Sequence, residues 1–283
     1  MMQTTTHYKA KGLGMKLVMQ IFCIAVASSC VFPLLWMISS SLKTQETVFS
    51  NYGLIPVNPR WQNYVTAWTK GGFGIYFLNS FFYTTTVVTG IVFIASMAAY
   101  AFARLEFPWK KFLFTLFLTT MMIPIPGSFI ALYVLVNKLG LVNTRLGYIL
   151  PQINAQLPLS IFLLKTFFEK LPKELEDSAR IDGATKWGIY WHLALPLARP
   201  AIAVVVIFNV LAVWNEYFWA MLVLADKSLM PLQRGLMVFQ GAHFTQYPLL
   251  MAGMTLSVVP VIVVYLLMQR HIIEGITAGA IKG

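Results

Sequence analysis

The chain is short of charged residues, and this shortage limits what the protein can be. Of its 283 residues, 11% are charged and 58% are hydrophobic, and the mean hydropathy is +0.70. A soluble domain carries about 25% charged residues, which it needs to cover its surface in water. The composition therefore excludes a soluble enzyme, a disordered protein and a fibrous protein. It indicates an all-α polytopic membrane protein.

Cysteine is also scarce. The two cysteines, Cys23 and Cys30, lie within one apolar run, where their spacing puts them on the same face of a helix but too far apart for a disulfide. We predict that both are small buried apolar residues without a redox or metal role.

Motifs for chemistry are missing as well. No G-x-x-x-x-G-K-S/T sequence occurs, so the chain encodes no phosphate-binding loop for ATP. H-E-x-x-H, C-x-x-C and G-x-S-x-G are also lacking, and the four histidines are scattered along the chain. We therefore expect no catalytic residue, no metal ligand and no cofactor in this chain.

Six apolar runs are long enough to cross a bilayer, which takes about 20 residues. They divide the chain into an N-terminal tail (1–16), a membrane domain (17–270) and a C-terminal tail (271–283). The predicted spans are residues 17–40, 75–102, 112–136, 147–168, 201–224 and 249–269.

The distribution of Lys and Arg predicts the orientation. With six spans, both tails and the loops after spans two and four lie on one side, and that side carries 14 of the 21 basic residues. Because basic residues accumulate on the cytoplasmic side, both termini are predicted to be cytoplasmic.

Polar groups interrupt three of the predicted spans. Span three contains Pro124 and Pro126, which should remove helix hydrogen bonds and kink its helix. Span four carries Asn154 and Gln156 among other polar groups, so it is too polar to face lipid all round.

Span five contains Glu216, the only acidic residue within a predicted span. A carboxylate at this depth either lines a pathway or makes a structural hydrogen bond, and the sequence leaves both open. Its neighbour Asn215 belongs to the same polar group. The flanking Trp214 and Tyr217 either stack on a sugar or belong to an interfacial aromatic belt.

The loop 165–200 holds half of the ten acidic residues and six basic ones. Its pattern predicts two short amphipathic helices that meet at Gly183, a residue suited to the left-handed end of a helix. The first covers 173–181, with Leu175, Ala179 and Ile181 as its apolar side. Asp182 is predicted to cap the second, which runs over 184–192 and ends before Pro196. Such a hairpin either lies on lipid or docks into a soluble partner.

The same loop resembles the EAA motif, E-A-A-x3-G-x9-I-x-L-P, of ABC-importer permeases. Asp177, Ser178 and Ala179 occupy the three leading places, Gly183 follows at the required spacing, and the motif ends at Leu195 and Pro196. The string ELEDSARIDGAT is similar to the carbohydrate branch of the family. Further similar strings, among them AAYAFARLEF, KLGLVNTRLGYILP, VWNEYFWAML and EGITAGAIKG, extend the resemblance over residues 16–283.

The resemblance implies a type I importer permease fold in a bacterial or archaeal cytoplasmic (inner) membrane. It implies a second homologous permease subunit, a dimer of ATPase subunits that binds ATP and Mg²⁺, an extracytoplasmic solute-binding protein and a carbohydrate substrate, with membrane lipid around the spans and no nucleic acid. The expected ATPase-coupling residues are Glu176, Asp177, Ser178, Ala179, Ile181, Asp182, Gly183, Ala184 and Trp187.

Two further contacts follow from the resemblance. The C-terminal residues Thr277, Ala278, Gly279, Lys282 and Gly283 are expected to reach the ATPase dimer, and Gln240, Gly241 and Ala242 to contact the binding protein. The aromatic loop 43–74 is a second candidate dock for the binding protein, or it packs on the partner permease. The expected translocation path contains Asn154, Gln156, Trp214, Asn215, Glu216 and Tyr217.

The alternative function is a stand-alone secondary transporter that uses Glu216 as its proton or cation site. Against it, one intramembrane carboxylate is sparse, and the charged hairpin would have no purpose. An intramembrane enzyme is a third possibility, but the sequence holds no cluster of polar catalytic groups.

Overall fold

The computed structural model describes residues 4–70, 72–122, 125–241 and 244–280, with side chains for 15–69, 72–122, 128–241 and 244–269. Within these residues the fold is helical, with one isolated antiparallel bridge between Gln240 and Thr245. This agrees with the predicted all-α class. The helices are α1 (Thr4–Ser41), α2 (Gln62–Lys70), α3 (Phe73–Arg104), α4 (Lys110–Thr119), α5 (Ile125–Lys138), α6 (Arg145–Lys170), α7 (Lys173–Ile181), α8 (Lys186–Ile189), α9 (Leu195–Leu197), α10 (Arg199–Trp214), α11 (Phe218–Val223), α12 (Leu232–Gly235) and α13 (Tyr247–Ala280).

The chain separates into two compact units. One comprises residues 1–71 and 238–256, and the other comprises 72–237 and 257–283.

Helix α3 is the central helix of the larger unit. Its residues at four-residue intervals from position 83 to 99 are buried, because this spacing places them on one face of a helix. They pack against buried side chains of α6, including Tyr148 and Phe168. Ala95 and Ala99 are small enough to let the two helices approach closely. The stripe consists of Tyr83, Val87, Ile91, Ala95 and Ala99.

Polar contacts join further helices in this unit. The side-chain amide of Asn209 on α10 donates to Ser160 Oγ on α6 at 3.0 Å, where both groups are buried. The indole of Trp219 donates to the carbonyl of Gly147 at 3.1 Å, which ties α11 to the start of α6. Such contacts hold helices together in lipid, where the hydrophobic effect cannot.

The smaller unit is organised by side chains of the segment after α1. Lys43 is buried, and its ammonium donates to the carbonyls of Asn51 and Gly53 at 2.6 and 2.8 Å. The Gln45 amide donates to the carbonyl of Thr245 and accepts from the N–H of Tyr247, so it fixes the start of α13.

Three of the predicted spans correspond to helices that are both long and apolar enough to cross a membrane. By length and composition, 15–41, 73–104 and 247–269 qualify as membrane-crossing helices among the described residues. A fourth candidate is the pair 186–197 and 199–214, which is bent by 72°. The count of six spans and the cytoplasmic position of both termini remain predictions. The boundaries of the two tails also remain predictions. In the structure, α1 begins at Thr4 and α13 continues to Ala280, so both helices extend into the predicted tails.

The remaining three spans differ in regularity. Span three departs from a regular helix, as its prolines indicate: α4 ends at Thr119, a 3₁₀ turn ends at Met122 and α5 begins at Ile125, while Pro124 lies outside the described residues. Span four is one helix, α6, despite its two internal prolines. Span five, predicted over 201–224, is divided in the structure: α10 ends at Trp214 and α11 begins at Phe218.

The prediction of buried cysteines is wrong. Cys23 and Cys30 are exposed, as is every residue of α1 from 15 to 35. The apolar run predicted a helix correctly, but no other segment among the described residues covers positions 15–35.

Candidate functional site

Loop 165–200 forms the predicted helical hairpin. Its first arm is α7 over 173–181, as predicted, and Gly183 follows with a φ of +85°. The N–H of Gly183 donates to the carbonyl of Arg180, and that of Ala184 donates to Ala179. These two bonds define a Schellman motif, in which the positive φ favours glycine.

The second arm differs from the prediction in its start and its end. Thr185, not Asp182, caps it: Thr185 Oγ1 accepts from the N–H of Gly188 at 3.2 Å, whereas Asp182 ends the first arm. Nor does Pro196 end the arm. The backbone widens to a π-helix over Tyr190–Ala194 and continues through α9 to Leu197, since proline is tolerated in the first turn of a helix.

The hairpin exposes its tip. Ile181 is 87% exposed and Trp187 60% exposed, and a Cβ on Gly183 would meet no atom within 4 Å. The predicted apolar side of α7 is therefore largely uncovered within the chain: Leu175 and Ile181 are exposed, and Ala179 is half-buried. Of the other expected coupling residues, Asp177, Ser178 and Asp182 are exposed and Ala184 is half-buried.

Glu176 is the one buried residue of α7. Its carboxylate Oε1 lies 3.0 Å from Nε of Arg104, the last residue of α3, and both side chains are more than nine-tenths buried. Arg104 also donates to the carbonyl of Leu171, just before α7. From the hairpin's own arm, Arg180 Nη2 lies 3.6 Å from Glu176 Oε2, but Arg180 is half exposed.

The second arm is attached to α3 as well. The hydroxyls of Tyr190 and Ser96 are 2.8 Å apart and buried, and the Tyr190 ring lies 5.3 Å from that of Tyr100. Neither Arg104 nor Ser96 was predicted from the sequence as a partner of the hairpin. The string AAYAFARLEF contains Arg104 but served only as a point of resemblance, and Ser96 lies two residues before it.

The interruption after α10 has Glu216 at its centre. The carboxylate accepts from the N–H groups of Trp219 at 2.5 Å and Ala220 at 3.1 Å. These N–H groups belong to the first turn of α11 and have no partner within the helix. Of the two roles left open by the sequence, the geometry therefore favours a structural hydrogen bond, with Glu216 capping α11.

The other expected path residues are spread over two elements. Asn154 on α6 and Asn215 after α10 are exposed, and Gln156 and Tyr217 are half-buried. Trp214 is buried, and its indole donates to the carbonyl of Ser257 at 3.0 Å.

Backbone hydrogen bonds join residues 239–241 to residues 244–246. The N–H of Gly241 donates to the carbonyl of Phe244, and that of Gln246 to Phe239. Gln240 and Gly241 are exposed, while Ala242 lies outside the described residues. In the segment after α1, exposed apolar side chains include Tyr52, Ile55, Val57 and Trp61. Both segments carry exposed side chains, as a docking role requires.

Of the expected ATPase contacts at the C-terminus, Thr277, Ala278 and Gly279 belong to α13, with no side chains described. Lys282 and Gly283 lie outside the described residues.

Comparison with known proteins identifies the class. Residues 90–277 match the family described as binding-protein-dependent transport system inner membrane component. The chain belongs to this family, which makes it a permease subunit of an ABC importer.

Several permease proteins are similar to this chain over most of their length. The chain is 35% identical over 263 residues to the probable ABC transporter permease protein YurM of Bacillus subtilis, covering 93% of this chain and 86% of YurM. It is 34% identical to the arabinooligosaccharides transport system permease protein AraQ of Halalkalibacterium halodurans (91% and 93% covered) and 32% identical to the trehalose/maltose transport system permease protein MalG of Thermococcus litoralis (95% and 97% covered).

A solved structure supports the fold. A chain of a bacterial ABC transporter involved in the import of the acidic polysaccharide alginate matches with a TM-score of 0.79, covering 93% of this chain and 96% of that one. Its sequence identity is 24%, so this likeness concerns the fold alone. The family and its relatives do not favour the stand-alone secondary transporter.

Proposed function

We propose that the chain is a permease subunit of an ATP-driven, binding-protein-dependent importer of a carbohydrate: a sugar, an oligosaccharide or a polyol. It forms half of the translocation path beside a second, homologous permease in a bacterial or archaeal cytoplasmic membrane. A pair of ATPase subunits supplies the ATP chemistry, and a solute-binding protein delivers the substrate. The substrate class rests on relatives whose names specify oligosaccharides and disaccharides.

The observation that carries the proposal is the form of the hairpin. Its tip around Gly183 is exposed and offers apolar groups, Ile181 and Trp187, to a soluble partner. Its base is held to α3 by a buried ion pair and a buried hydroxyl pair. An exposed tip on an anchored base suits an element that receives a movement from outside the chain and passes it on. We assign the ATPase contact to residues 176–187, centred on Asp182, Gly183 and Ala184.

The remaining contacts complete the proposal. The C-terminal residues 277–283 reach towards the ATPase pair, and residues 240–242 contact the binding protein. Asn154, Gln156, Trp214, Asn215 and Tyr217 border the path, and Glu216 is a fixed cap in its wall rather than a moving proton site.

The first experiment is a mild-detergent pull-down of the tagged chain from its native host, with mass spectrometry of the co-purifying proteins and an ATPase assay. Recovery of a second permease and a P-loop ATPase would support the proposal. The binding protein of the same assembly is then screened against sugars, oligosaccharides and polyols. A chain that purifies alone would contradict the proposal and revive the secondary transporter.

A matched pair of glycine variants tests the hairpin. Gly183→Asp should release or uncouple the ATPase while the chain still inserts into the membrane. Gly140→Asp is the control, because Gly140 also has a positive φ, +68°, and also has no atom within 4 Å of an added Cβ. Gly140 is predicted to lie on the opposite side of the membrane. Equal ATPase recovery with both variants would contradict the assigned contact.

A further inference from the structure

Helix α3 carries polar side chains near both of its ends, and these side chains hold segments from elsewhere in the same unit. At the C-terminal end, Ser96 and Arg104 hold the hairpin. At the N-terminal end, Asn79, Ser80 and Tyr83 hold the loop that follows α11. The proposed function uses the first set and does not account for the second.

The N-terminal contacts are specific hydrogen bonds to the backbone of residues 228–232. The Asn79 amide donates to the carbonyls of Ser228 at 2.7 Å and Met230 at 3.1 Å. The Tyr83 hydroxyl donates to the carbonyl of Leu229 at 2.8 Å, and Ser80 Oγ accepts from the N–H of Leu232 at 2.7 Å. The three side chains are buried. Four hydrogen bonds therefore fix this loop segment, which we call the outer loop, to α3.

The outer loop follows closely after Asp226. The carboxylate of Asp226 accepts from the N–H of Ser228, the first residue of this loop, at 2.8 Å. That N–H holds the pKa of the Asp226 carboxyl below its usual range. By the charge distribution of the sequence, the outer loop lies on the extracytoplasmic side, opposite to the hairpin. The chain continues from it towards Gln240.

Between its two ends, α3 is an uninterrupted helix. It contains no proline, and its middle is locked against α6 by the buried stripe from Tyr83 to Ala99. From Asn79 to Arg104 it extends about 37 Å, at 1.5 Å per residue. A helix supported along its length moves as one body, because close-packed side chains resist continuous deformation.

We propose that α3 is the strut that couples the hairpin to the outer loop, so that Arg104 and Asn79 are positioning residues for transport. This inference rests on the proposed function, in which the ATPase pair moves the hairpin. When the hairpin moves, its residues Glu176 and Tyr190 displace the C-terminal end of α3. At the N-terminal end, Asn79, Ser80 and Tyr83 transmit this displacement to the outer loop. Because coupling between two sites is reciprocal, contacts made at the outer side also bias the hairpin.

The test uses the assembly purified from the native host, with ATP and orthovanadate as the probe. A spin label is attached at Lys227→Cys, an exposed position next to the outer loop, in a Cys23→Ala/Cys30→Ala background. Trapping with ATP and vanadate should change the mobility of the label in the otherwise unmodified assembly. This readout needs no knowledge of the transported sugar.

Variants at either end of α3 should reduce the label's response by roughly tenfold, a typical size for coupling between sites. Arg104→Lys keeps the charge but cannot hold both Glu176 and the Leu171 carbonyl, since lysine is a point donor without the guanidinium fork. Asn79→Leu removes both donors at the other end. ATP hydrolysis, measured in the same samples, should continue.

Lys110→Gln is the matched control. It removes a positive charge from an ion pair with Glu106, just beyond the same end of α3, and neither residue belongs to the hairpin or the outer loop. Its response should equal that of the unmodified assembly. Responses are measured per assembled complex, so a variant that only assembles poorly does not mimic uncoupling. If Arg104→Lys or Asn79→Leu prevents assembly, Ser96→Ala and Tyr83→Phe replace them, since each removes one hydroxyl.

A full label response in the variants at either end of α3 would overturn the proposal that α3 couples the hairpin to the outer loop. So would an equal loss with Lys110→Gln, because the loss of any positive charge near this end of α3 would then be sufficient. Failure of the proposed function is distinguishable from both outcomes: the chain would purify without an ATPase, and the unmodified sample would show no response to ATP and vanadate.

Discussion

Helices α1 and α3 are similar in length and in apolar character, but their side chains have different surroundings. In the most apolar stretch of α1 none of the residues is buried within the chain, whereas in that of α3 39% are buried. The difference lies in a few polar side chains and a stripe of buried apolar side chains on α3. Apolar surface is at no disadvantage in lipid, so α1 needs no partner within the chain. Hydropathy therefore identifies both helices as membrane-crossing but does not distinguish an outer helix from a central one.

The largest effect is expected at the C-terminal end of α3. Arg104→Ala leaves the buried Glu176 carboxylate without its close partner, which should cost about 3–5 kcal/mol of folding free energy. Unfolding of the purified chain in a detergent series measures the loss. The double variant Arg104→Ala/Glu176→Ala should recover part of it, because no unpaired charge remains. A double variant less stable than the single one would contradict this reason.

The next effect concerns the close approach of α12 to α3. A Cβ on Gly235 would lie 2.1 Å from a ring carbon of Tyr76, a buried residue of α3. Gly235→Ala should therefore destabilise the fold by about 1–3 kcal/mol through overpacking. Gly188→Ala is the control, since its nearest atom would be at 3.5 Å, an ordinary contact. The same unfolding series compares the two, and equal stability would show that α12 has room to move away.

A smaller effect is expected at Glu216, which lies on neither α1 nor α3. Glu216→Gln weakens the cap of α11 and should cost about 1 kcal/mol. Substrate uptake by the assembled transporter should persist, with an unchanged pH dependence, because the carboxylate caps a helix and does not carry protons. Uptake that is lost, or that becomes independent of pH only in this variant, would restore Glu216 as a proton site.

The smallest effect is expected on α1. Cys23→Ala/Cys30→Ala changes two exposed side chains that no described residue covers, so the free energy of unfolding should change by less than about 0.5 kcal/mol. Stability and co-purification of the second permease are both measured. Unchanged stability with loss of the second permease would sharpen the comparison, because it would make α1 a surface for a partner subunit. A large loss of stability would contradict the assignment of α1 as an outer helix.

Several features of the site were predictable from local sequence. Gly183 ends α7 with a positive φ, as a glycine between two amphipathic stretches indicates. The break in span three follows from its prolines. The sequence did not reveal the break after α10, because Asn215 and Glu216 are compatible with a helix by propensity alone. It becomes apparent only when the Glu216 carboxylate is seen to accept from the backbone of α11.

The sequence by itself determined that the chain is a membrane protein, that its charged hairpin lies at 165–200, and that it resembles importer permeases. These properties depend on composition, period and local motifs, which contiguous residues specify. Only the tertiary structure decided that Glu176 turns inward to Arg104, that α3 also holds the outer loop, and that α1 stays uncovered. Three helices separate Arg104 from Glu176 in the chain, and Asn79 is still more remote from Met230, at 151 residues. Hydropathy reports whether a side chain avoids water, but the partner of a buried polar group is chosen by packing between distant segments.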